Sequence, residues 1–190
     1  MSAMVETTEE QDLVARFRRG DDSAFDRIVE QHSAEIAALA NRLLGWPGDV
    51  DDVVQEVFLA AFLALKRFRG DCRLRTWLFT ITLNKCRSLR FRRRRFLPAV
   101  AESNPEIGIG PGRSSDEAAM NEETFARVRR AVQALPAKYR EVVVLKYLQG
   151  LDTAEACKLL GVTVNTMQVR LNRARNRLRE HLGDLFEERG

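Results

Sequence analysis

The chain has 190 residues, enough for one ordinary domain or two small ones, and 45% of them are apolar, which excludes a globally disordered chain. Its net charge is only +4, but the charge is segregated: residues 73–95 carry nine Lys or Arg and no acid, while the first twelve residues carry four acids and no base. A uniformly solvated surface does not sort its charges this way, and a face for polyanions does.

In chain order, the acidic start MSAMVETTEE is unlike a secretion signal, and no stretch has the length of a membrane span. A disordered tail over 1–10, a cytoplasmic location and no direct membrane insertion are expected. Leu13, Val14 and Phe17 predict a short amphipathic helix ending at Gly20, and Asp22 and Ser23 are good caps for the next helix. That helix carries Phe25, Ile28, Val29, Ile36, Leu39, Ala40 and Leu43 on one broad face, until Gly45-Trp46-Pro47-Gly48 breaks it. Residues 49–68, DVDDVVQEVFLAAFLALKRF, follow with acids crowded into the first turn, where the helix dipole favours them. Val53, Val54, Val57, Phe58, Ala61, Phe62 and Leu65 predict its core face. Asp51, Asp52, Gln55 and Glu56 are left as a polar cluster, which fits a partner-binding site and equally a capping and solubility device; the residues alone do not separate the two. A carboxylate metal site lacks a His or further acid at compatible spacing.

The next helix changes character along its length. Leu74, Leu78 and Ile81 stand at i, i+4 and i+7 as a buried stripe, with Trp77 and Phe79 among them, and the helix ends in RFRRRR. A helix rooted in a core and loaded with Arg beyond it holds phosphates beside exposed rings that unstacked bases can use. Residues 98–119 contain three of the five prolines and three of the eleven glycines, which marks a linker and domain boundary.

The second half reads as helices throughout. Phe125, Val128, Ala131, Val132 and Leu135 form one helix closed at Pro136; another runs from Pro136 to Gly150. Asp152 and Glu155 have capping-box spacing before a short helix that Gly161 ends, and Thr163 caps the last helix. This is a helix-turn-helix pattern. Met167, Leu171, Ala174 and Leu178 face one way along the last helix, and Asn165, Gln168, Val169, Asn172, Arg173 and Asn176 the other. Asn, Gln and Arg match base edges in a major groove, and Val a thymine methyl; Arg170, Arg175, Arg177 and Arg179 suit phosphates. Cys72, Cys86 and Cys157 are odd in number and lack C-x-x-C spacing, which predicts reduced, packed thiols and no zinc. His32 and His181 read as helix-surface residues. No metal or other cofactor is expected.

DVDDVVQEVFLA, followed by RTWLFTITLNKC and the Arg run, resembles region 2 of the extracytoplasmic-function (ECF) sigma factors of bacterial RNA polymerase. ALPAKYREVVVLKYLQGLDTAEACKLLGVTVNTMQVRLNRARNRLR resembles their region 4 without a gap. The resemblance implies an all-α chain of two small helical domains: region 2 over 11–97, a flexible linker over 98–116, and region 4 over 117–186. It implies that Asp52, Gln55, Glu56 and Phe58 dock on the clamp helices of the largest subunit of core RNA polymerase, and that region 4 meets the β flap. Trp77, Asn84, Lys85, Arg87, Arg90, Arg92 and Arg93 would hold the −10 non-template strand, with Asn84 near the flipped-out base. Asn165, Thr166, Gln168, Val169, Asn172 and Arg173 would read the −35 element of promoter DNA. An anti-sigma factor is a further implied partner of an otherwise monomeric chain. The family often has Asp where this chain has Ser88, Arg where it has Phe91 and Gly where it has Asn165, which bears on fine promoter preference.

Two rivals come from other classes. A free-standing helix-turn-helix regulator accounts for residues 136–182 but gives the acidic cluster and the Trp–Arg helix no task. An enzyme needs a nucleophile–base pair or a metal constellation, and the sequence offers neither.

Overall fold

The structure, a computed structural model, describes residues 2–46, 48–96 and 116–187. Most of the expected linker, 98–116, lies outside the described residues. Eight α-helices and one π-helical turn, and no β-strand, occur among the described residues. The chain divides into two units between Ser103 and Asn104.

The first unit holds α1 (Ser2–Arg18), α2 (Ser23–Leu44), α3 (Val50–Leu65) and α4 (Leu74–Phe96). α1 starts well before the apolar residues that signalled it, so the segment read as a tail is helical from Ser2. Its turn into α2 is held by Asp21, which accepts from Ser23 Oγ (2.6 Å) and Arg16 Nε (2.9 Å); Asp22 makes no side-chain cap. Gly45 ends α2 at φ +83°, a left-handed conformation that other residues rarely adopt. α2 packs against the other three helices, and α3 against α4.

An aromatic cluster joins three of them: Phe25 lies 5.6 Å from Phe17, 6.4 Å from Phe58 and 5.1 Å from Phe62, centroid to centroid. Fully buried rings such as Phe17 each contribute about 1.5–3 kcal/mol through lost water contact. α4 buries Leu74, Leu78, Phe79, Leu83 and Cys86, whereas Ile81 is half-buried at the rim. The stripe therefore drifts around the helix instead of following i, i+4, i+7, because α4 has to cover both α2 and α3.

His32 corrects the sequence reading. It is buried in α2, with Nε2 3.7 Å from Glu10 Oε1, and burial lowers its pKa. Helical periodicity places it between Ile28 and Ile36, which are both buried, and charged groups from other helices, Glu10 of α1 and Arg75 of α4, lie near it, too distant in sequence to anticipate.

The second unit holds α5 (Asp116–Ala134), α6 (Ala137–Val143), α7 (Thr153–Leu160) and α8 (Val164–Glu187). α6 passes into the π turn Val144–Leu148 where one continuous helix was predicted. Among the described side chains of α5, Ala126, Ala131, Val132 and Gln133 are buried, as is Leu135 just beyond its end, and Phe125 and Val128 are exposed, against expectation. Asp152 and Glu155 form the predicted capping box, with Glu155 N–H donating to Asp152 Oδ1 at 2.8 Å. Gly161 closes α7 at φ +67° and Thr163 Oγ1 accepts from Thr166 N–H at 3.2 Å, so α7 and α8 meet through a short, fixed turn.

Candidate nucleic-acid and partner interfaces

Three surfaces gather the predicted functional residues. On α3, Asp52 and Gln55 are exposed and Glu56 half-buried. At 100° per residue, Leu59, Phe62 and Leu63 continue the same outer stripe. They are 62%, 41% and 72% exposed, an apolar extension that the sequence reading missed. Phe58 is not part of the stripe. It is buried against Phe25 of α2, so its ring is part of the core. The signal available in sequence was the 40° offset of Leu59 and Leu63 from each other about one helix face; both stand off the predicted core face with no role assigned to them, and Phe62 was counted as core.

The second surface is an open shelf on α4 of about 470 Å³, lined by Ile81, Asn84, Lys85, Ser88 and Arg92, with Glu56 of α3 at its edge. Glu56 binds two of its cations: Lys85 Nζ lies 3.1 Å from Oε2 and Arg92 3.6 Å from Oε1. The hydrogen bond from Lys85, more than any other contact, holds the Glu56 carboxyl below the usual carboxylate range. An acid assigned to one predicted interface thus neutralises two cations of the other.

The remaining predicted residues of α4 divide. Asn84 is exposed. Trp77 is half-buried, with its ring 5.1 Å from Phe68, and Arg87 is half-buried. Arg90 donates to the Leu43 carbonyl at 3.0 Å. Arg93 stacks 4.6 Å over Trp46 and pairs with Asp49 at 3.4 Å, while Trp46 Nε1 donates to that same carboxylate. Arg90 and Arg93 therefore fasten α4 to the end of α2 and the start of α3. Sequence gave no sign of this, since every Arg in a run looks equally available.

The third surface is the outer face of α8. Met167, Leu171 and Ala174 are buried, and Asn165, Gln168, Val169, Asn172 and Arg173 are exposed, as the periodicity predicted, while Leu178 of the predicted stripe is only half-buried. Thr166 is half-buried and engaged with Thr163 in the cap; Asn172 Oδ1 accepts from Arg175 at 2.8 Å. Arg173 donates to the Tyr139 hydroxyl, the main cause of a lowered tyrosine pKa. Exposed amide and guanidinium groups on a helix backed by a rigid turn have the geometry of major-groove readout.

Comparison with known proteins agrees with both halves. Residues 28–96 match Sigma-70 region 2, and residues 125–178 match Sigma-70, region 4. The RNA polymerase sigma factor CnrH of Cupriavidus metallidurans is 39% identical over 173 residues, 87% of this chain and 90% of that protein. The ECF RNA polymerase sigma-E factor of Escherichia coli K12 is 33% identical over 90% of this chain and 93% of its own length. The chain belongs to the ECF sigma factors. Among solved structures, CnrH in complex with the cytosolic domain of CnrY aligns with a TM-score of 0.66 at 34% identity, covering 93% of this chain and 98% of that one. The sigma factor RpoE in complex with the anti-sigma factor NepR from Bartonella quintana gives 0.67 at 26%, covering 84% and 96%.

This sigma factor directs promoter-specific transcription initiation by RNA polymerase. A free-standing regulator is not favoured, since the region 2 match covers the α2–α4 half that such a regulator leaves without a task. No described helix is long and apolar enough to cross a membrane.

Proposed function

We propose that the three surfaces divide the work of initiation. The α3 stripe (Asp52, Gln55 and Glu56, extended by Leu59, Phe62 and Leu63) docks on the clamp helices of core polymerase. The α4 shelf, with Asn84, Lys85 and Arg92 and with Trp77 and Arg87 beside it, takes the −10 non-template strand. The α8 face reads the −35 duplex. Arg90 and Arg93 hold α4 in position and leave the strand to their neighbours. Residues 11–97 and 117–186 act as the two sigma domains, with 98–116 as the tether between them.

The observation that carries this reading is the meeting of α3 stripe and α4 shelf at Glu56, which makes one continuous surface of what would otherwise be two isolated charge clusters. Strand capture offsets an unstacking cost of a few kcal/mol per base with pocket contacts and phosphate neutralisation. The chemistry of RNA synthesis belongs to the polymerase, and no catalytic residue is assigned to this chain. The chain works in the cytoplasm without a cofactor. An anti-sigma factor is a further partner, in line with the solved complexes of similar sigma factors.

The test is run-off transcription with core enzyme on a promoter library. Discrete transcripts that depend on the chain are expected; their absence from every template refutes the reading. A finer prediction concerns Glu56. Without polymerase, Glu56→Gln is expected to raise affinity for a single-stranded oligonucleotide about two- to fivefold, because an exposed ion pair is worth at most about 1 kcal/mol. Fluorescence anisotropy measures this, and unchanged or weaker binding would remove Lys85 and Arg92 from the strand site.

A further inference from the structure

A shallow groove of about 240 Å³ lies between the start of α6 and the start of α8, lined by Lys138 and Tyr139 on one side and by Thr166, Val169, Arg170 and Arg173 on the other. Tyr139 is buried and forms its floor. Lys138 Nζ lies 5.1 Å from the centroid of the Tyr139 ring and the Arg177 guanidinium 5.6 Å from it, while Arg173 donates to its hydroxyl. Three cations from two helices are thus ordered around one aromatic post, with Arg170 on the same rim. No acid lines this groove.

Lys138 is exposed and stands in the first turn of α6, a turn without acids. A cation in a first turn opposes the helix dipole, so its place is not explained by helix stability. It does lie beside the face of α8 that carries Gln168, Val169 and Asn172. A helix in a major groove is flanked by phosphates at roughly the groove's width, and contacts to them fix its depth and register without reading sequence.

We propose that Lys138, held beside Tyr139, is a phosphate anchor, which grips the DNA backbone beside the groove entered by α8. The anchor lies outside the recognition helix and sets how deeply that helix sits. It rests on the reading of α8 as the duplex-binding helix, and the ligand is the phosphodiester backbone of that same duplex.

The experiment is a salt titration of full-length protein binding to a random-sequence DNA duplex, read by anisotropy between about 50 and about 200 mM salt. Each phosphate contact contributes a slope of about −0.9 in log K against log salt. Lys138→Ala is expected to make the slope shallower by about 0.9 and to weaken binding about three- to tenfold at the low-salt end, whatever the duplex sequence. Lys138→Arg should retain the slope, and Lys138→Glu should weaken binding further than alanine. If wild type binds and Lys138→Ala keeps its slope, the anchor is refuted while the α8 reading stands; these cations then face solvent or a protein partner's acids. If wild type binds no duplex at all, both fall.

Discussion

Asp52→Ala combined with Gln55→Ala is expected to abolish co-elution with core polymerase while lowering the thermal midpoint by no more than about 8 °C. Both side chains are exposed on α3, so their loss creates no cavity. Asp52 lies in the first turn, and removing its charge forfeits a dipole interaction worth about 0.3–1 kcal/mol. At a central interface position each truncation costs about 2 kcal/mol or more, and two together weaken binding about a thousandfold. The apolar extension belongs to the same expectation: Leu59→Ser with Leu63→Ser should weaken docking and leave folding intact, since both side chains are already in water. Phe58→Ala is the contrasting control. Its ring is buried against Phe25, so the variant should lose about 3–5 kcal/mol of stability, and any loss of docking would follow from that. Normal co-elution of the Asp52/Gln55 double variant, measured by size exclusion with core enzyme, would refute the docking role.

The features read correctly from sequence were those set by neighbouring residues. The capping box at Asp152 and Glu155, the Gly161 stop and the two faces of α8 follow from helical period and cap chemistry, and the structure shows each of them. Where sequence reading failed, residues distant in the chain decided the outcome. His32 is buried on α2, which packs against three other helices, and Ile81 is at the rim because α4 serves two neighbours. Phe58 and Phe62 are four residues apart on α3 and both touch Phe25, yet only Phe58 is buried; periodicity alone assigned both to the core. The Arg run shows the same limit for charge. Nothing local distinguishes Arg92, beside Glu56 on the shelf, from Arg93, tied down by Trp46 and Asp49.

Arg173→Ala is expected to weaken binding to a preferred −35 duplex by about 1–3 kcal/mol and to relax discrimination at one base pair. Arg173 is exposed on α8, so truncation leaves the core untouched. What sets it apart from the surrounding arginines is the Tyr139 hydroxyl, which accepts from its guanidinium. A guanidinium already held by a buried ring loses less side-chain entropy on meeting a guanine edge than one that swings freely, where ordering a long side chain costs up to about 2 kcal/mol. Tyr139→Phe keeps the ring and removes only that acceptor. It should therefore reproduce part of the lost discrimination while leaving the salt slope unchanged, which separates orientation of Arg173 from phosphate anchoring by Lys138. Anisotropy on a set of duplexes differing by single base pairs measures both. Equal weakening on every duplex after Arg173→Ala would make this residue a backbone contact and leave base reading to Gln168, Val169 and Asn172.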